Sequence, residues 1–206
     1  LKLNLNIYKE RIIMKVMLAR EYGEDASIQI SQIFVEGFYQ WLKFFSKDKE
    51  KLINAFKHIF NLDVIYVAVI DDKIAGMTAC NDGKEKTIHF NKKELKEYLG
   101  FLMGNITYYV LRKEFITKTY PFPITVGMGS IEFVATSTDH RSKGVATSIM
   151  KHIFENTSFK DYVLEVADTN TNAVNLYTKL GYKEFMRIKE KHSKQSGINY
   201  LVYMKY

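Results

Sequence analysis

The chain has 206 residues, 47% apolar and 26% charged, a globular usage that excludes a disordered or fibrous polypeptide and supplies enough residues for one sizeable core. A single cysteine, Cys80, excludes an internal disulfide framework and a cysteine-rich zinc site and suits a reducing compartment. Thirty basic against twenty-three acidic side chains leave +7, but with no long basic block the charge alone does not choose between a polyanion and a small phosphate-bearing ligand.

In chain order, residues 1–13 read as an N-terminal extension ahead of Met14, without the basic, apolar, small-residue progression of a signal peptide. Val16–Arg20 is a short strand candidate. Asp25–Leu42 and Lys49–Phe60 read as helices, with Ile30, Ile33, Phe34 and Phe38 on one face of the first and Leu52, Ile53, Phe56 and Ile59 on one face of the second. Val64–Ile70 is continuously apolar and β-branched, the pattern of a strand covered on both faces. Asp71–Lys73 is a tight turn into a returning strand, Ile74–Cys80. A mostly helical stretch runs from Lys92 to Thr117.

The second half is predicted as strand Gly129–Ser137, a polar turn, a helix from Gly144, strand Tyr162–Ala167, helix Asn172–Leu180, and strands Tyr182–Ile188 and Ile198–Met204. Gly181 stands where a left-handed helix cap is cheapest. Alternating strands and helices predict an α/β (α+β) fold, a single domain over residues 1–206. No run approaches the roughly 18 apolar residues of a membrane span, so a soluble cytoplasmic protein with no membrane contact is expected. The five histidines show no ligand spacing, and no metal is expected.

The informative window lies within residues 129–182. Strand Ile131–Thr136 runs into Arg141-Ser-Lys-Gly-Val-Ala146 at the mouth of a helix. Small residues at such a bend let unpaired backbone N–H groups converge with the helix dipole into an anion site, to which Arg141 and Lys143 add charge. By itself the turn is equally a turn of shape. A second element follows: Asn170-Thr-Asn-Ala-Val-Asn-Leu-Tyr177, then Thr178-Lys-Leu-Gly-Tyr182. The pair resembles the GNAT superfamily of N-acetyltransferases, whose turn reads Q/R-x-x-G-x-G/A and whose later element reads N-x-x-A-x-x-L-Y-x-K-x-G-F/Y.

The resemblance implies a GNAT fold, a mixed twisted sheet of about six to seven strands flanked by helices and splayed between two central parallel strands. It implies acetyl-CoA in that opening, with CoA as product. The pyrophosphate would be held by backbone N–H groups of Arg141, Ser142, Lys143, Gly144, Val145, Ala146 and Thr147. The pantetheine arm would pair with Val134, Ala135 and Thr136, and Asn170 and Tyr177 would lie near the thiol end. Chemically, a neutral primary amine would attack the thioester carbonyl, with no covalent enzyme intermediate. A backbone N–H of Val134 or Ala135 would serve the developing oxyanion, and Tyr177 the departing sulfur.

Ser142 and Ala146 stand where glycine is common, Thr136 replaces an aliphatic residue, and Thr138 sits where proline is frequent. By helical position alone Tyr177 is a core residue; its place in the motif makes it the candidate acid. Glu132 is the candidate general base, with strand alternation putting Val134 and Thr136 on its side, though a solvated edge or a water chain serves as well. Asp139 and His140 read as turn residues, and Cys80 as packing. Segments Ile33–Phe45 and Leu95–Phe122 are expected to shape the acceptor pocket, for a small-molecule or peptide amine. A monomer or homodimer is expected, without nucleic acid. The rival reading is a non-catalytic acyl-CoA sensor or partner-binding module on the same fold.

Overall fold

The computed structural model describes residues 13–117 and 120–206; the expected extension, apart from Ile13, lies outside them. Strand β1 (Met14–Leu18) leads into a short helix α1 (Ala19–Tyr22), then α2 (Ala26–Leu42) and α3 (Lys49–Phe56). The hairpin β2 (Ile65–Ile70) and β3 (Lys73–Asn81) is followed by α4 (Lys92–Leu99), α5 (Phe101–Arg112) and a π-helical turn, Lys113–Thr117. Strand β4 (Met128–Thr136), α6 (Val145–Asn156), β5 (Asp161–Ala167), α7 (Thr171–Leu180), β6 (Lys183–Lys189), α8 (Ser193–Ser196) and β7 (Tyr200–Lys205) complete the chain. The strands form one sheet in the order β1-β2-β3-β4-β5-β7-β6, antiparallel throughout except for β4 beside β5.

Helices cover both faces, as the continuous apolar run of β2 requires. Ile65 and Val67 point into a core shared with Ile30, Phe34, Leu52 and Phe56 of α2 and α3. Ala68 and Ile70 point the other way, into a core with Ile149, Met150 and Ile153 of α6. Each such fully buried aliphatic side chain contributes about 1.5–3 kcal/mol. The hairpin turn is tight because Asp71 and Asp72 both take left-handed φ values, +49° and +57°, which match the twist of the strands.

Several boundaries differ from expectation, the first two for a tertiary reason. Strand β1 ends at Leu18, and Arg20 sits on α1, with its guanidinium 3.1 Å from Asp63 and its N–H on the Leu62 carbonyl. Helix α3 stops at Phe56, because Ile59 and Phe60 pair instead with His89 and Ile88 across the molecule. Tyr182 and Ile198 lie just outside β6 and β7.

Candidate functional site

Strands β4 and β5 pair only from Met128–Asp161 to Ile131–Leu164. Beyond those residues β4 pairs with β3 alone and β5 with β7 alone, so the two central strands part into a V. The edge of β4 that carries Val134, Ala135 and Thr136 is thus open toward the gap, a free line of backbone donors and acceptors.

The V leads to the N-terminus of α6. Between them, Ser142 and Gly144 both adopt left-handed conformations, φ +60° and +80°. Gly144 is the N-cap and has no side chain to turn back on the helix, leaving α6 uncapped. The first N–H groups, those of Val145, Ala146 and Thr147, have no carbonyl one turn earlier within the helix, and they carry the positive end of its dipole. Arg141, Ser142, Lys143 and Gly144 are exposed around them. The turn is also anchored from α2: the Thr138 N–H and hydroxyl point to Glu36 Oε2 at 3.4 and 3.3 Å, the former a contact that proline at this position would lack. His140 is engaged by Ser137, Nδ1 to Oγ 2.9 Å, and Asp139 is exposed.

Close approach of α6 to the sheet depends on Gly76 of β3. A Cβ there would lie 2.5 Å from Val145 Cγ1 and 2.9 Å from the Ala135 carbonyl oxygen. The uncapped helix end, the glycine beneath it and the free edge of β4 form a cradle of anion-binding and strand-pairing groups, a donor set that fits a phosphate-bearing ligand with an amide-bearing arm.

Helix α7 borders the same opening. Asn170 caps it, its Oδ1 accepting from the Ala173 N–H at 3.3 Å, while its amide N–H groups have no partner among the described residues. Gly181 ends the helix at φ +102°, the left-handed cap. Tyr177 is buried against Tyr182, with ring centroids 5.8 Å apart, yet its hydroxyl has no hydrogen-bond partner among the described residues. Burial raises its pKa well above the ordinary tyrosine value, so it holds its proton across the neutral range.

On the opposite face, Glu132 is held by two hydroxyls: Thr87 Oγ1 donates to Oε2 at 2.7 Å and Ser130 Oγ to Oε1 at 2.9 Å. Tyr120 in turn bonds Ser130 Oγ at 2.9 Å. The Tyr120 hydroxyl has a raised pKa, from burial first and then from the Glu132 carboxylate, with Glu165 and Tyr177 adding to it. Glu132 and Tyr120 line an open cavity of about 530 Å³ whose walls include Phe115, Phe122 and Ile88.

One expectation is corrected. Alternation along a regular strand would put Val134 and Thr136 beside Glu132. The register of β4 slips against β3, however, and Phe133 takes φ +53°. This bulge places Phe133 and Ala135 on the α2 face with Glu132, whereas Val134 packs on the α6 core and Thr136 lies beside Gly76 and Val145. Thr87, Ser130 and Tyr120 escaped sequence reasoning as a group, since they come from three separate segments; Tyr120 was legible only as part of Leu95–Phe122, the segment expected to shape the acceptor pocket. Cys80 is buried, and its thiol is pushed up to about 12, by burial and then by Glu132, so it packs as an inert thiol.

No helix of the described residues is long and apolar enough to cross a membrane, and no three His, Cys, Asp or Glu side chains among them gather as a metal site. Within β6, Arg187 is taken up by two bonds to Glu184, at 2.8 and 2.7 Å.

Residues 28–182, most of the chain, match the family described as Acetyltransferase (GNAT) family. An N-acetyltransferase from Staphylococcus aureus Mu50 superposes with a TM-score of 0.62 at 17% identity, over 93% of this chain and 100% of that one. The ribosomal-protein-S18-alanine N-acetyltransferase from Escherichia coli gives 0.51 at 11%, over 94% and 92%. An acetyltransferase of the GNAT family from Bacillus cereus ATCC 10987 gives 0.56 at 10%, over 94% and 96%. At these identities the likeness is one of fold. A search of curated proteins gives no significant match.

Proposed function

Because the chain belongs to the GNAT acetyltransferase family, we propose that it is an acetyl-CoA-dependent N-acetyltransferase that moves the acetyl group to a primary amine by direct attack. The observation that carries this reading is the β4–β5 opening: an uncapped helix end at one side, an unpartnered tyrosine hydroxyl bordering it, and a carboxylate-floored cavity on the other face.

Bound acetyl-CoA supplies an acyl carbon already activated as a thioester. The N–H groups of Ser142 and of Gly144 through Thr147 hold its pyrophosphate, and the open edge at Val134, Ala135 and Thr136 pairs with its arm. Those of Arg141 and Lys143, expected to join them, donate instead to the Thr138 and His140 carbonyls within the turn. Asn170, whose amide N–H groups are unspent, contacts it near the sulfur. A backbone N–H of Val134 or Ala135 donates to the oxygen on which charge develops. Tyr177, protonated throughout the working range, gives its proton toward the sulfur. Glu132 accepts the proton of the incoming amine, its carboxylate aimed by Thr87 and Ser130. Juxtaposition of the two reactants supplies much of the acceleration, so no enzyme nucleophile is required. A cytoplasmic setting fits the single buried thiol.

The test is calorimetric titration with acetyl-CoA, with CoA and ATP as controls, followed by thiol release in the presence of amines. Binding of acetyl-CoA and CoA but not ATP is expected. Tyr177→Phe should lower kcat by about a hundredfold with the acetyl-CoA Kd unchanged. Absence of binding at millimolar acetyl-CoA would overturn the reading. Tight binding with no turnover on any amine would favour an acyl-CoA sensor instead.

A further inference from the structure

The cavity under Glu132 has walls and a floor of different chemistry. Its floor is a carboxylate whose only partners among the described residues are hydroxyls; no Lys, Arg or His there neutralises it. At the rim stand the exposed Glu85 and Lys86, one charge of each sign, so the lining as a whole carries a net negative charge. Its walls are mixed: Asn81 and Thr87 are polar, while the rings of Phe115, Tyr120 and Phe122 supply a flat apolar portion. Phe122 packs edge-on against Tyr203 and Phe185, with centroids 5.6 and 5.0 Å apart, and Tyr120 lies 5.2 Å from Phe122. Phe115 stands on the bulge residue Phe133, at 5.4 Å.

Resting on the proposed function, we infer that the acceptor is a small monoamine with an aromatic or comparably flat apolar body. Its ammonium group is drawn to Glu132 and its body lies between Phe115 and Phe122. The ammonium gains from the carboxylate, and the flat apolar body gains by stacking on the rings and leaving water. A polyamine brings further cations that would meet only Glu85, next to Lys86, at the rim of a chain that carries +7 overall. A volume of about 530 Å³ suits a small molecule in its entirety. Glu132 then serves twice, first selecting the cation and then accepting its proton.

The test is amine binding by calorimetry, with and without CoA, to 2-phenylethylamine, n-propylamine, spermidine and a short peptide with a free N-terminus, with acetyl transfer read in parallel. We expect 2-phenylethylamine to bind about tenfold or more tighter than the other three. Phe115→Ala and Phe122→Ala should each weaken 2-phenylethylamine about fivefold to tenfold and leave n-propylamine and acetyl-CoA unchanged. Glu132→Gln should weaken every amine. Phe122→Leu, which keeps the packing on Tyr203, separates loss of the ring from loss of the fold, checked by thermal melting. Tightest binding of spermidine or the peptide, or aromatic truncations that move all amines alike or none, overturns the acceptor class. Transfer to spermidine alone would do so while leaving the acetyltransferase reading intact. Failure of acetyl-CoA binding would strike that reading instead, with amine selectivity still measured in the CoA-free arm.

Discussion

Ser142 holds φ at +60°, a conformation in which a Cβ crowds the backbone at a cost of about 1–2 kcal/mol. The motif admits glycine at this position, and the structure gives the physical reason: the turn must reverse sharply for the helix N–H groups to converge. Glycine would relieve that strain but would lose more freedom on folding, by roughly 0.5–1 kcal/mol. Ser142→Gly should therefore stabilise the chain by about 0.5–1 kcal/mol, seen as a melting temperature about 2 °C higher. An unchanged or lower melting temperature would show that the serine side chain makes a compensating interaction. Tyr177 is the complementary case. Its helix position, flanked by Leu176 and Leu180, spells core, and the structure does bury it. What sequence could not supply is that the hydroxyl of this buried ring has no hydrogen-bond partner among the described residues.

Helix α6 and strand β4 show how elements create the opening that no residue holds alone. The helix seats its first turn on β3 because Gly76 leaves room for Val145. Gly76→Ala should push this turn away or distort β4, destabilising the chain by about 1–3 kcal/mol and weakening acetyl-CoA binding several-fold. Urea unfolding and calorimetry on the same preparation check both effects. Loss of stability with unaltered binding would mean that the turn does not carry the pyrophosphate. The strand-and-helix order was legible in the periodicity of the chain, from Val64–Ile70 through Asn172–Leu180. The bulge at Phe133 was not. Nothing in Ile131–Thr136 marks one residue for a left-handed φ, because the slip arises from pairing with β3, which is about fifty residues distant in sequence. For the same reason Glu132 was legible as a candidate but placed with the wrong neighbours.

At the scale of the molecule, the two cores bury groups that would otherwise ionise at high pH. The Cys80 thiol is pushed from 9.0 up to about 12, first by burial and second by Glu132, and the phenols of Tyr177 and Tyr120 are raised chiefly by burial. The unfolded chain releases such protons earlier than the folded one. The stability linked to Cys80 is thus complete below about pH 9 and is lost as pH rises toward 12, by up to about 4 kcal/mol in total. Urea midpoints measured at pH 7, 9 and 10.5 should change little between the first two and fall clearly by the third, and in Cys80→Ala that fall should be shallower even if the starting midpoint is lower. Equal slopes for the two proteins would refute the contribution of Cys80.

By itself the sequence determined the kind of fold, the family resemblance and the identity of the turn, cap and candidate acid. Those rest on local facts: period, glycine at left-handed positions, and residues spaced within one strand–turn–helix. Tertiary structure decided that β4 and β5 pair for four residues and then part, that Glu132 faces away from Val134, and that Thr87, Ser130 and Tyr120 meet at its carboxylate. It also decided which of the many aromatics wall the cavity. These are meetings of segments far apart in the chain, fixed by how two helical layers pack on one twisted sheet, and local sequence carries no record of that packing.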